Sequence, residues 1–418
     1  MRDVYLEEVA QLTVGHVGSM VDEYVDVGIP FLRSLNIQPH RIDFQETKFI
    51  TRTFHEKLRK SALRPNDVVI VRTGKPGTCA VIPEDLVEAN CSDLVIVRCG
   101  PHIRPRFLAY WVNAVASEHV ASHIVGAVQQ HFNVGSAKRM PIRLPSLRDQ
   151  DNVLAILGTL DDKIELNRKT AATLEAMARA LYRSWFVDFD PVRARAEGRA
   201  PAHMDAATAA RFPDSFGEDG LPVGWRMGAV LDVFDVIMGQ SPPGETYNEN
   251  ALGLPFYQGR AEFGYRFPTV KKYCSAPTRI ARMDSTLLSV RAPVGDLNRA
   301  WEECCIGRGV AALWERSARN AYGYEAMQSL STALASFDTE GTVFGSINKK
   351  QLANLPLIVP DDAVVDGFER LVAPMDQQIR SLVAQNRTLA TLRDTLLPRL
   401  MSGELRVGAA REMVEEVA

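Results

Sequence analysis

Residues 164–186 read IELNRKTAATLEAMARALYRSWF. Their apolar and small side chains fall on a line of alternating three- and four-residue steps that begins upstream: Val153, Leu157, Leu160, Ile164, Asn167, Ala171, Leu174, Ala178, Leu181 and Trp185. A repeat of about 3.5 residues marks the seam of a helix that winds on another helix. One member of the line, Asn167, is polar, and an amide in an apolar seam needs a partner. The same line returns 215 residues later at Phe368, Val372, Met375, Ile379, Leu382, Asn386, Leu389, Arg393, Leu396 and Leu400, now with two polar members. The chain therefore encodes two long helices of one design.

The repetition extends upstream of both helices. Pro141 and Pro145 precede the first as Pro356 and Pro360 precede the second, and prolines close the segment ahead of a helix. GIPFLR (28–33) matches GLPFYQGR (253–260), DVVIVRTGKPG (67–77) matches TLLSVRAPVG (286–295), and NVGSAKR (133–139) matches VFGSINKK (343–350). The middle pair reads as two strands ending at Arg72 and Arg291 before a Pro/Gly turn. These matches divide the chain into a globule at 1–148, a long helix at 149–187, a linker at 188–221 rich in Ala, Gly, Pro and acid with room for a short helix, a second globule at 222–360, a second long helix at 361–407 and a C-terminal tail at 408–418.

The expected fold class is mixed α/β (α+β), with two similar globules separated by two long antiparallel helices in a coiled coil. A helix of about 36 residues is roughly 54 Å long, too long to hide in one globule. Its cheapest partner is the other copy in the chain, and a pseudo-two-fold axis relating two equivalent units makes the helices antiparallel. Under that symmetry Asn167 faces Asn386, and a buried amide pair fixes register because a slip leaves an amide unpaired. The alternative is that each asparagine is solvated or caps local backbone.

Composition supports a globular protein without singling out a ligand. Hydrophobic residues make up 46% of 418 residues, enough for well-filled cores, and the net charge is −3. Residues 1–148 carry 18 basic against 15 acidic side chains and residues 222–360 carry 14 against 13, a balance that permits nucleic-acid binding without showing it. The six cysteines form no C-x-x-C pair and read as reduced core thiols. The N-terminal MRDVYLEEVAQLTV lacks the basic start and apolar core of a signal peptide, which places the protein in the cytosol with no membrane partner.

Catalytic patterns fail one by one. Gly74-Lys75 lacks the spacing of a nucleotide-binding P-loop and runs into Pro76. Pro242-Pro243 in GQSPPGE lacks the aromatic residue of a base amino-methylation site, and no carboxylate cluster has the downstream acid-x-Lys of a nuclease. His119 and His123 could share a helix face, but without a third ligand they are read as ordinary surface histidines. No metal site is expected.

The longer motifs carry a resemblance. LDDKIELNRKTAATLEAMARALYRSWFVDFDPVRA (160–194), LPVGWRMGAVLDVFDVIMGQSPPGETYNENALGLPFYQGRAEFG (221–264), LLSVRAPVGDLN (287–298) and NRTLATLRDTLLPRLMSGELRV (386–407) resemble the DNA specificity subunits of type I restriction-modification enzymes, as do GIPFLRSLNI, DVVIVRTGKPGTCAV and ANCSDLVIVR in the first half. The resemblance implies two target recognition domains, each reading half of a split sequence in double-stranded DNA, held apart by helices that act as a ruler. It implies no catalysis and no cofactor on this chain. Two methyltransferase subunits would supply adenine methylation with S-adenosylmethionine, and two motor-nuclease subunits would supply translocation and cleavage with ATP and Mg.

Candidates for DNA contact follow from basic and amide side chains near strand ends, since Lys and Arg hold phosphates and Arg, Gln and Asn read purine edges. They are Arg33, Arg72, Thr73, Lys75, His131, Lys138 and Arg139 in the first globule, and Gln240, Ser241, Gln258, Arg260, Lys271, Arg291, Lys349 and Lys350 in the second. Arg72 and Arg291 could instead be folded onto acids. Two other readings stay open: an assembly scaffold whose globules bind proteins, and part of a single-chain restriction-methyltransferase.

Overall fold

A computed structural model describes residues 2–122, 124–125, 131–338 and 345–415. The chain forms two compact units, the first from residues 1–168 with 383–418 and the second from residues 169–382. The boundaries cut both long helices, Leu147–Phe186 and Asp362–Ser402. The six segments drawn from the sequence therefore do not coincide with the packing units. Each unit owns a stretch of both helices because the seam residues complete its core. In the first unit, Val153, Leu157, Leu160 and Ile164 join Leu389, Leu396 and Leu400 against Val68, Val95 and Phe107. In the second, Tyr182, Trp185 and Phe186 join Phe368 and Val372 against Phe234, Leu313 and Tyr322.

The helices begin where side-chain oxygens meet the first free amides. Ser146 Oγ accepts from Asp149 N at 3.2 Å, and Asp361 Oδ1 accepts from Ala363 N at 2.8 Å. Within each unit the two helices run antiparallel: Asp161 pairs with Arg393 at 2.7 Å in the first, and the rings of Trp185 and Phe368 lie 5.7 Å apart in the second.

The three sheets of one unit repeat in the other. A four-stranded sheet is ordered Ala10–Val14, Leu94–Cys99, Val68–Val71, Cys79–Val81 in the first unit, and Phe234–Met238, Val310–Glu315, Thr286–Ser289, Leu297–Arg299 in the second. A five-stranded sheet is ordered Tyr24–Val25, Lys48–Ile50, Ile29–Leu32, Ala89–Cys91, Ala62–Leu63, matched by Tyr247–Asn248, Lys272–Cys274, Leu254–Tyr257, Cys304–Ile306, Ile280–Ala281. In both, the central pair is parallel. A short ladder of Arg2–Tyr5 with Pro141–Leu144 has its counterpart in Arg226–Ala229 with Pro356–Val359.

Backbone geometry corrects two of the sequence matches. The Gly-Ser pairs of NVGSAKR and VFGSINKK are not equivalent. Asn133 caps the helix Val134–Lys138 by accepting from Ser136 N, and Asn348 caps Lys349–Ala353 by accepting from Gln351 N. Aligning the caps restores the spacing of 215 that the prolines already show, whereas the two Gly-Ser pairs stand 210 apart. The strand match also slips by one: Val71 O accepts from Gly77 N as Ser289 O accepts from Gly295 N, both at 3.0 Å. Arg72 thus corresponds to Val290, and Thr73 to Arg291. A one-residue slip in extended chain moves a side chain to the other face.

The linker and the C-terminal tail both pack on the units. Residues 188–221 contain the helices Asp190–Ala196 and Ala206–Ala209, and Phe189, Val192 and Phe212 enter the second unit's core. The expected tail contains the helix Val407–Glu415, with Ala410 buried in the first unit. Both carry apolar residues a few positions past a helix that already faces the core. All six cysteines are unpaired and five are buried; burial pushes the Cys304 thiol up to about 12. No helix among the described residues is long and apolar enough to cross a membrane.

Each unit also fastens its long helices through charged groups that are largely shielded from water. In the first, Asp161 accepts from Arg393 at 2.7 Å and from the Tyr110 hydroxyl, which accounts for the arginine in the seam. In the second, Asp376 takes Arg266 on one oxygen and Arg299 on the other. Arg266 also lies 3.4 Å from Glu175 and 3.9 Å from Glu325, and its guanidinium stacks 3.6 Å from the Tyr324 ring centre. Tyr110 and Glu325, like Asp161 and Asp376, are 215 residues apart, so both hubs occupy the repeated position.

Candidate nucleic-acid interface

In the second unit, three loops converge where the four- and five-stranded sheets meet. Gly239 N donates to Val310 O at 2.9 Å and Gln240 N to Ile306 O at 3.0 Å, which places the loop after Phe234–Met238 against the turn after Cys304–Ile306. Gly307 N and Gly309 N donate to Tyr257 O and Gln258 O at 2.9 and 3.1 Å, bringing in the loop after Leu254–Tyr257. The approach is close enough that a Cβ at Gly239 would lie 2.1 Å from Gly307 O. On this rim Ser241 Oγ and the Gln258 amide bond each other at 3.0 and 3.1 Å, and Gln240 is exposed.

The sequence reading missed Arg308, which stands exposed between the two glycines of the rim, and Arg279, whose backbone oxygen accepts from Ile306 N at 2.9 Å. The signal was present in Gly307-Arg308-Gly309, where an arginine is flanked by residues suited only to close backbone contact.

The first unit has the same rim. Gly15 N donates to Leu94 O and His16 N to Cys91 O, both at 2.8 Å. His16 is therefore the counterpart of Gln240 and was also missed. Arg33, at the place of Gln258, reaches Glu46 O at 2.8 Å.

The other candidates divide between rim, neighbouring loops and local pairing. Arg260 is paired with Asp296, and Lys271 Nζ donates to Ala261 O at 2.9 Å. Arg72 is half-buried, with its N–H bonded to Asp93 O at 3.1 Å, while Lys75 and Arg291 are exposed on the turns that follow the equivalent strands. Neither arginine forms the alternative structural ion pair among the described residues. Thr73 is half-buried in the same turn. His131 begins the two-residue strand His131–Phe132, and its side chain lies outside the described residues, as does all of His123. His119 donates from Nε2 to Ser136 O at 3.0 Å.

Lys138 and Arg139 sit at the end of one capped helix, whereas Lys349 and Lys350 open its counterpart, so the two exposed basic pairs are not equivalent. The two asparagines of the helical seam do meet. Asn167, 2% exposed, donates from Nδ2 to Asn386 Oδ1 at 2.9 Å and to Gln385 Oε1 at 2.7 Å, and Asn386 Nδ2 donates to Ile164 O at 3.3 Å. Gln385 lies off the seam line, so its share in the bond was not visible in the spacing.

Residues 3–176 match the family described as type I restriction modification DNA specificity domain. The chain is 24% identical over 394 residues to a putative type I restriction enzyme MjaX specificity subunit of Methanocaldococcus jannaschii, covering 91% of this chain and 88% of that protein. It is 26% identical over 328 residues to the type I restriction enzyme HindI specificity subunit of Haemophilus influenzae, covering 65% and 70% of the two chains. A solved type I restriction-modification S subunit from M. genitalium shares the fold, with a TM-score of 0.55 at 12% identity over 96% of this chain and 95% of that one. Residues 3–176 thus match a type I restriction-modification DNA specificity domain, and over most of its length the chain is similar to specificity subunits of type I restriction enzymes.

Proposed function

We propose that this chain selects a split DNA sequence for a type I restriction-modification complex, each unit reading one half. The observation that carries the reading is the repetition: two units that share one strand order in three sheets, each holding part of the same two long helices. Two copies of a reading scaffold suit two short half-sites, and a helix pair suits a fixed spacer between them. Chemistry belongs to the partners: two methyltransferase subunits acting on adenine with S-adenosylmethionine, and two motor-nuclease subunits using ATP and Mg. The small basic surplus of each globule suits a chain that grips DNA only when its partners complete the complex.

Mapping methylated adenines after co-expression with the methyltransferase partner tests this reading. A two-part motif is expected, and exchanging residues 222–360 for those of another specificity subunit changes one part alone. A motif unaltered by the exchange would make the chain a scaffold, and methylation by the chain alone would make it an enzyme.

In this reading the Asn167–Asn386–Gln385 contact holds the helices in one register. Asn167→Leu strands two amides in a buried seam, and is expected to cost about 1–3 kcal/mol in denaturant unfolding. Removing the Asn386 amide as well, with Asn386→Leu, leaves only Gln385 without its donor and returns part of the lost stability while admitting half-sites at altered spacing. A double variant with unchanged spacing in the methylated motif would remove the register role.

A further inference from the structure

Because the two units share one strand order, each serves as the alignment for the other, and departures at the rim stand out. Ala89–Cys91 and Leu94–Cys99 are joined by two residues, Ser92 and Asp93, whereas Cys304–Ile306 and Val310–Glu315 are joined by Gly307, Arg308 and Gly309. Hydrogen bonds fix the equivalences. Ser92 N donates to Leu32 O at 3.1 Å as Gly307 N does to Tyr257 O at 2.9 Å, and Asp93 O accepts from Arg72 N at 3.1 Å as Gly309 O does from Val290 N at 3.0 Å. The residue with no counterpart is Arg308.

Its flanks leave it no freedom to retreat. A Cβ at Gly309 would lie 2.5 Å from the backbone oxygen of Gln258, which holds that neighbour to glycine, and one at Gly307 would lie 3.1 Å from Gln258 Cα and displace the Gln258 side chain. Arg308 N approaches Ser241 Oγ at 3.4 Å, beside the Ser241–Gln258 pair. The side chain emerges exposed from this fixed backbone, while nearby Arg260 and Lys271 are held by Asp296 and Ala261 O. In the first unit the same turn presents Asp93, also exposed, at φ 55°.

We propose that Arg308 reads a guanine through O6 and N7 in the half-site of the second unit. The inference rests on the DNA-reading function proposed above. A phosphate anchor would need a cation at the corresponding turn of both units, and Asp93 would repel phosphate there. A base-reading position has to differ between units that read different half-sites, and carboxylates accept from cytosine N4 where arginine donates to guanine.

The test is the methylated motif of the full complex carrying wild-type chain, Arg308→Ala or Arg308→Lys. Expected is a two-part wild-type motif in which either variant relaxes one position of one half by about ten- to hundredfold. The lysine variant keeps the charge and the overall affinity but not the two-point fit. An unchanged motif, or uniform weakening with a salt slope reduced by about one and restored by lysine, would overturn the base-reading role and leave the split-sequence reading standing. A wild-type complex without a two-part motif would overturn both.

Discussion

Asp376→Ala is expected to lower the stability of the second unit by about 3–5 kcal/mol, read as an early transition in denaturant unfolding. The carboxylate joins two guanidinium groups, Arg266 and Arg299, that are 5% and 6% exposed. Without it, both arginines stay in a poorly solvated site with longer contacts: Arg266 with Glu175 at 3.4 Å, and Arg299 with Asp284 at 3.3 Å. Those remaining partners place the loss toward the lower end of the range. An exposed pair gives the contrast. Arg52 and Glu88 lie 2.8 Å apart with side chains 62% and 45% exposed, and Glu88→Ala should leave the denaturant transition almost unmoved, because water and salt screen an exposed pair. Equal losses from the two substitutions would show that burial is not what gives the Asp376 hub its weight.

The second expected result concerns pH. Glu325 is 1% exposed, and burial pushes its carboxyl up to about 7 against the opposing pull of Arg266 and Arg179. Neither of its oxygens has a hydrogen-bond partner among the described residues. Because the folded value lies above the unfolded one, the folded unit holds the extra proton, and the contribution is fully present below the ordinary carboxyl range near 4.5. It is lost as pH rises through about 7, an effect on the order of 3 kcal/mol. Glu325→Gln keeps the shape and removes the titration. Its melting temperature should exceed that of the wild type at pH 8, with the gap closing near pH 4.5. A constant gap over that range would assign the effect to packing.

The helical seam was legible because a coiled-coil helix writes its buried face into its own spacing, and Leu157, Leu160, Phe368 and Leu396 are each 2% exposed or less. The duplication was legible for the same reason, since strands and prolines recur at nearly constant offset. Alignment inside the globules was not. Gly-Ser and Val-Arg dipeptides match by letter at positions the backbone does not make equivalent, and only the Asn133 and Asn348 caps and the ladder bonds of Val71 and Ser289 decide which residues correspond. Single letters carry little register information in short strands, where one step reverses the face.

The interface candidates show the same division. Basic and amide residues near strand ends could be named from the chain, yet His16 and Arg308 emerged only once three loops distant in sequence were seen to meet. Gln385 joined Asn167 only when helix packing brought an off-line position within 2.7 Å. By itself, the sequence determined two mixed α/β halves, two seamed helices and a polar pair within the seam, because periodicity and repetition are properties of order along a chain. The tertiary structure alone decided where the compact units divide, that residues 188–221 and the C-terminal helix belong to cores, and which side chains share a rim. Those depend on which distant surfaces exclude water from one another, and the order of residues does not record that contact.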